Sequence, residues 1–331
     1  MQNNHSATLP VVPLPLRARQ EGGLSLLAPW LVLLLLAAFP LVAPLLGLEY
    51  YVGFLQRLMI YSIAVSSLNF LVGYGGMVAL GHAGFLGIGA YTLVALLDSG
   101  QDSIWLAWVL AMGVSGLFAL LIGSISIRTR GMYFIMITLA FAQMLYYLAV
   151  SFNRYGGEDG YGIYVPLSLG SWLDDIPHAL YWVVLCVAAL VFAMGSRVAG
   201  SRFGLALQGI RDNEVRMGAM GYPVYAIRLL AFVVAGAFAG LAGAMLAVNN
   251  NFVSPSMMSF GESAGLLVMV ILGGMGHRWG PALGVAVWLT LAEVLKLYTD
   301  YWHWPMGLIL LLSVFLLPAG LAGGSRKRVI K

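Results

Sequence analysis

Long apolar runs, separated by short polar breaks, dominate this chain. They fall near residues 25–46, 54–73, 77–97, 104–127, 132–151, 178–197, 225–249, 261–276, 279–298 and 303–320. A helix needs about 20 apolar residues to cross the hydrocarbon of a bilayer. The pattern predicts an all-α, polytopic membrane protein with about ten transmembrane helices. The eighth run is short and ends in glycine, which reads as a re-entrant or broken helix. Spans 2–5 and 7–10 are compatible with two four-helix units of opposite orientation. No sequence repeat links them, and the GGM triplets at 75–77 and 273–275 do not correspond under such an inversion.

One stretch breaks the pattern. Residues 201–221, SRFGLALQGIRDNEVRMGAMG, carry Arg202, Arg211, Asp212, Asn213, Glu214 and Arg216 between two greasy runs. Phe203, Leu207, Ile210 and Met217 follow a helical stripe, and Glu214 falls in the middle of that apolar face. A helix lying on lipid would not place a carboxylate there. Either the helix breaks near Asp212 and Asn213, or Glu214 meets a specific partner. The segment reads as two short helices joined by a turn, with Gly218 and Gly221 loosening the chain before Pro223.

Composition agrees with the membrane reading. Of 331 residues, 61% are hydrophobic and 9% charged, against roughly 25% charged in soluble domains. The net charge of +4 is not gathered into a basic patch interleaved with aromatics, so nucleic-acid binding is not expected. The basic residues instead set topology. With the N-terminus inside, the internal segments and adjoining span ends hold 14 of the 17 Lys and Arg, and the opposite side holds 9 of the 13 acids. Both termini are therefore expected in the cytoplasm. The expected organisation is a cytoplasmic tail over 1–24, one transmembrane unit over 25–320, and a basic cytoplasmic tail over 321–331. The longest external connection is 152–177. The longest internal one, about 198–224, contains the charged island.

Candidate chemistry is sparse. Residues 73–90, GYGGMVALGHAGFLGIGA, are rich in glycine, which lets helices approach closely or the backbone unwind. Unwound backbone inside a membrane is tolerated only beside a cavity or buried in protein. His82 lies in this run, either as a functional ionisable group or as a neutral histidine bonded to a backbone carbonyl near the cytoplasmic interface. Glu293 and Lys296, three residues apart, are placed to pair on one helix face. No Asp or Glu is expected at mid-bilayer, which argues against a proton-coupled carrier. Cys186 reads as a small buried hydrophobe. The histidines lack metal-ligand spacing, so no metal site is expected. No Gly-Lys-Ser/Thr phosphate loop occurs, so if ATP powers the protein another subunit must supply it.

Several blocks carry a resemblance: LNFLVGYGGMVALGHAGFLGIGAYT (68–92), RGMYFIMITLAFAQM (130–144), GGEDG (156–160), SRFGLALQGIRDNE (201–214), AFVVAGAFAGLAGAM (231–245) and ILGGMGHRWGPALG (271–284). Over roughly 55–318 the chain resembles the inner-membrane permeases of branched-chain amino acid ABC importers, of the longer, LivM-like type. The resemblance implies a multi-pass protein of the bacterial inner membrane. It implies a second, LivH-like permease subunit, two ATPase subunits that use ATP, and a periplasmic or other extracytoplasmic binding protein. This chain itself would bind no cofactor and would not be an enzyme. The island matches the family's ATPase-coupling loop at Arg211, Asn213, Glu214 and Gly221. It departs at Arg216 and Met217, where small residues are usual. Gly81, His82, Tyr91 and Thr92 are candidate walls of the translocation path. The alternatives are a stand-alone channel or secondary carrier, or an ABC permease for urea, amides or aromatic acids.

Overall fold

The computed structural model describes residues 23–164, 177–316 and 320–323. Most of the N-terminal tail, the middle of the 152–177 connection (165–176) and the basic cluster at 324–331 lie outside the described residues. Twelve α-helices are described: α1 (Gly23–Leu46), α2 (Glu49–Asn69), α3 (His82–Asp98), α4 (Ile104–Ser126), α5 (Met132–Ser151), α6 (Ala179–Gly200), α7 (Arg202–Asp212), α8 (Glu214–Ala219), α9 (Val224–Asn250), α10 (Phe260–Gly273), α11 (Gly280–Tyr298) and α12 (His303–Leu316). Ten are apolar and coincide with the ten runs; six of these are long and apolar enough to cross a membrane, α3, α10 and α12 are shorter, and Leu33–Pro44 of α1 is an apolar stretch of the same shorter kind. The expected count of about ten is thus slightly off for the helices as a whole, because the island adds two short ones. A small departure from all-α is a two-residue antiparallel bridge between β1 (Tyr161–Gly162) and β2 (Phe252–Val253).

α9 is the centre of the bundle, packed against α2, α3 and α4. Between apolar helices in lipid there is no hydrophobic drive to associate, so close van der Waals packing has to hold them. Glycine permits it: a Cβ on Gly243 would sit 1.7 Å from the Leu86 carbonyl oxygen, and one on Gly89 1.9 Å from that of Gly240. α3 and α9 therefore touch backbone to backbone.

Two helices start inside the bundle rather than at its surface. α2 runs on through a π-turn, Phe70–Tyr74, and residues 75–81 are non-helical before α3 begins at His82. Yet His82 reaches Ser67, about two helical turns before the end of that run at Tyr74. The chain after α2 therefore dips back into the bundle, as the glycine-rich run suggested. After α9 the chain does the same from the opposite end. It turns through β2 and a short 3₁₀ segment, Pro255–Met258, and α10 starts at Phe260. Met258 lies against Gly87 of α3, and Glu262 meets Tyr61, the thirteenth residue of the 26-residue run Glu49–Tyr74. The short eighth span is thus a half-helix.

The two halves also pack alike. α3 lies on α4 and α9, while α10 lies on α11 and α2. α4 packs on α9 as α11 packs on α2. α2 ends beside α7, whereas α9 starts just after α8, so corresponding helices run oppositely. The two-unit arrangement over α2–α5 and α9–α12 exists in packing although no sequence repeat marks it.

Candidate functional site

The charged island forms the two short helices that the hydrophobic stripe suggested. Ser201 caps α7 by accepting from the Gly204 N–H at 3.3 Å. Asn213 has extended backbone (φ −157°, ψ 98°), which ends α7. Its side chain accepts from the Arg216 N–H at 2.9 Å, which starts α8. Leu207, Ile210 and Met217 are buried against the bundle, and Phe203 stacks on Phe70. Gly221 takes φ +85°, a left-handed turn natural to glycine, and returns the chain to α9.

Both sequence alternatives for Glu214 hold together: the helix breaks, and the carboxylate has a partner within the chain. Glu214 accepts from Arg130 Nη2 at 3.0 Å through one oxygen and lies 3.0 Å from Arg228 Nη1 through the other. Arg130 sits on the turn between α4 and α5; Arg228 is in the second turn of α9. Side-chain exposure ranks the two contacts: Arg228 is 16% exposed, Glu214 23% and Arg130 71%. The inner pair is shielded from water and the outer pair is screened, so the Arg228 contact is the stronger. A cavity of about 180 Å³ opens beside them, between residues 76–78 and the α4–α5 turn. Arg211 fixes a second point. Its Nη1 donates to the Gly73 carbonyl at 2.5 Å, and its Nε and Nη2 donate to Asp212. Arg211, Asn213 and Glu214 thus all face their own chain. The exposed side chains of this surface include the apolar Leu205, Val215 (78% exposed), Met220 and Tyr222 and the charged Arg202, Asp212 and Arg216.

The four candidate path residues lie along α3 and are not exposed together. A Cβ on Gly81 would stand 2.3 Å from the Thr138 carbonyl oxygen. His82 is fully buried, with Nε2 2.8 Å from Ser67 Oγ. Ser67 spends its only hydroxyl hydrogen on the Ala64 carbonyl at 2.7 Å, so Nε2–H donates to Ser67 and the buried Nδ1 is left without a partner. The partner of His82 is a hydroxyl, not the expected backbone carbonyl. Tyr91 is partly buried with its hydroxyl unpartnered, and Thr92 bonds back to the Ile88 carbonyl.

Other expectations need correction. Glu293 and Lys296 do not form an ion pair among the described residues. Glu293 accepts from the Tyr50 hydroxyl at 2.5 Å, and Lys296 Nζ lies 4.9 Å from the centre of the Trp302 ring. Each has a partner on another element, which the three-residue spacing cannot reveal. Cys186 is exposed on α6 rather than buried. Glu262 stands at mid-bundle on Tyr61, because the connection after α9 descends before α10 begins. Sequence reasoning also passed over Arg57, on α2. A signal existed: Arg57 is one of only three basic residues outside the inner-side set.

Residues 50–317 match the family described as branched-chain amino acid transport system / permease component. The chain is 30% identical, over 82% of its length and 69% of the relative's, to the high-affinity branched-chain amino acid transport system permease protein LivM of Salmonella typhimurium. It is 28% identical to the LivM protein of Escherichia coli, over the same shares. It is 26% identical, over 67% of its length and 74% of the relative's, to the guanosine ABC transporter permease protein NupQ of Bacillus subtilis. No solved structure matches it. Nine apolar helices, α2–α6 and α9–α12, two of which start within the bundle, and a charged helix pair wired to one end are what this match covers: the chain belongs to the branched-chain amino acid transport permease family.

Proposed function

We propose that this protein is the LivM-like permease subunit of an ABC importer for branched-chain or related amino acids. On this reading a second permease completes the path, a binding protein delivers substrate from outside, and two separate ATPase subunits use ATP on the cytoplasmic side. The end carrying α7 and α8 faces the cytoplasm, as do both termini. The observation that carries the reading is the wiring of α7 and α8. Their outward side presents the apolar Leu205, Val215, Met220 and Tyr222 among the charged Arg202, Asp212 and Arg216, and large apolar side chains left exposed on a water-facing element suit a protein contact. Their inward side holds the bundle at Gly73, Arg130 and Arg228.

The loop residues then divide by task. Val215 and Met220 dock the ATPase. Asn213 keeps α7 and α8 as two helices, Gly221 makes the return turn, and Arg211 and Glu214 pass movement inward. Glu214 reaches the start of α5 through Arg130 and the start of α9 through Arg228, so displacing α8 displaces both helices. Gly81, His82, Tyr91 and Thr92 would join the path only in a conformation that separates α3 from its neighbours.

The test is uptake by the purified permease pair with its ATPases and binding protein in proteoliposomes. ATP-dependent accumulation of leucine, isoleucine or valine is expected. Accumulation of guanosine but of no amino acid would transfer the protein to the substrate class of its guanosine relative. Uptake by this chain alone without ATP would establish the stand-alone carrier instead.

A further inference from the structure

The face of α2 turned to α10 and α11 carries polar groups along its length, from the exposed Tyr50 through the half-buried Arg57 to the buried Tyr61. Tyr50, Arg57 and Tyr61 are spaced by seven and four residues, which puts them on one side of the helix. Tyr50 donates to Glu293 of α11 at 2.5 Å, and Tyr61 donates to Glu262 of α10 at 2.7 Å. Arg57 lies between these two pairs, with its guanidinium carbon 5.7 Å from the centre of the Tyr61 ring. It is the ninth residue of the 26-residue run, about 12 Å along the helix from its first residue.

Arg57 is not neutralised there. No carboxylate among the described residues forms an ion pair with it, and its Nε is buried without a hydrogen-bond partner. In a low-dielectric interior, opposite charges that can reach each other close up. Here Tyr61 stands beside both, with Arg57 over its ring and Glu262 at its hydroxyl. Glu262 is itself fixed by the helix start, where Ser259 Oγ accepts from its N–H at 3.3 Å. Ionisable groups inside a membrane protein mark substrate or ion routes by default.

We infer that Arg57, Tyr61 and Glu262 form a recognition site for the charged end of an α-amino acid, with Arg57 on its carboxylate and Glu262 on its ammonium group. The inference rests on the importer reading above. A zwitterion fits because its carboxylate and ammonium groups are both carried by one carbon atom, and each meets the opposite sign beside Tyr61. Phe54 and Leu58, on the same side of α2 and only partly buried, offer apolar contact for the substrate side chain. Tyr61 holds Glu262 in position and is a positioning residue. Arg57 and Glu262 are the discriminating ones. They tell an amino acid from a nucleoside, which has no such pair of charges.

The experiment measures melting temperature for the purified importer complex with leucine, with 4-methylpentanoate (leucine without its amine) and with 3-methylbutylamine (leucine without its carboxylate). Ligand bound to the folded state raises the melting temperature. Saturating leucine should raise that of the wild type by about 3 °C, with little effect from either analogue. In Glu262→Gln the advantage of leucine over 4-methylpentanoate should vanish, and in Arg57→Gln its advantage over 3-methylbutylamine should vanish. Should Arg57→Gln fail to assemble, Arg57→Lys keeps the charge and must still respond to leucine. Wild-type discrimination retained in Glu262→Gln and Arg57→Gln overturns the inference, as does an assembled Arg57→Lys that ignores leucine. Leucine uptake by the wild type without any leucine-dependent stabilisation also overturns it. If the wild type transports no α-amino acid at all, the importer reading fails first, and the inference with it.

Discussion

Two regions of this bundle use arginine and glutamate differently. Beside α8, Glu214 touches Arg130 and Arg228 directly, at 3.0 Å each. On α2, Arg57 and Glu262 share one tyrosine and form no ion pair. A closed ion pair is a mechanical link: it resists separation and transmits displacement between the elements it joins. A separated pair leaves each charge partly uncompensated, so a ligand that carries both signs gains by entering. One region is built to move as a unit, the other to receive.

The largest expected effect severs the frame that joins the two regions. Gly243→Ala drives a methyl group into the Leu86 carbonyl, where its ideal position is 1.7 Å from the oxygen. Backbone shifts of this kind cost about 1–3 kcal/mol or more. Protein recovered from membranes should fall severalfold, by quantitative blotting, and both functions should go together. Next comes the docking patch: Val215→Asp places a carboxylate where an apolar contact is expected, and co-purification of the ATPase should fall about tenfold, equivalent to roughly 1.4 kcal/mol. Undiminished capture would place docking elsewhere on this surface. Tyr61→Phe then sharpens the contrast from the other side. It removes the hydroxyl donated to Glu262 and should cut leucine transport severalfold without affecting ATPase capture. The smallest effect belongs to Arg130→Gln. Arg130 is mostly exposed, and such pairs are worth about 0–1 kcal/mol, so transport should drop less than about fivefold. Arg228→Gln, on the shielded contact, should lose more. The reverse order would refute the ranking by burial.

Much of the architecture was legible because a bilayer imposes its own length on apolar runs. Every one of the ten helices was found, and so was the break at Asn213, since Glu214 on an apolar stripe contradicted a continuous helix. The glycine-rich run around His82 announced broken backbone. What stayed hidden depends on contacts remote in sequence. Arg130 is 84 residues from Glu214, and no local spacing brings them together. Glu262 read as an external acid because a polar connection normally stays at the surface; this one descends to Tyr61. Arg57 went unread, although its place on the acid-rich side was the anomaly that would have found it. The paired architecture of α2–α5 and α9–α12 was compatible with the order of the runs but left no repeat in the residues, because packing constrains size and polarity rather than residue identity.

The central claim is that Glu214 is an internal link rather than a docking residue. The direct measurement is ATP consumed per leucine accumulated in proteoliposomes, for the wild type and Glu214→Gln. With α8 still docked through Val215 and Met220 but no longer clasped to Arg228, that ratio should rise about tenfold, a loss of roughly 1.4 kcal/mol in coupling. An unchanged ratio, with leucine uptake and ATPase capture falling in parallel, would contradict the account and make Glu214 part of the docking surface.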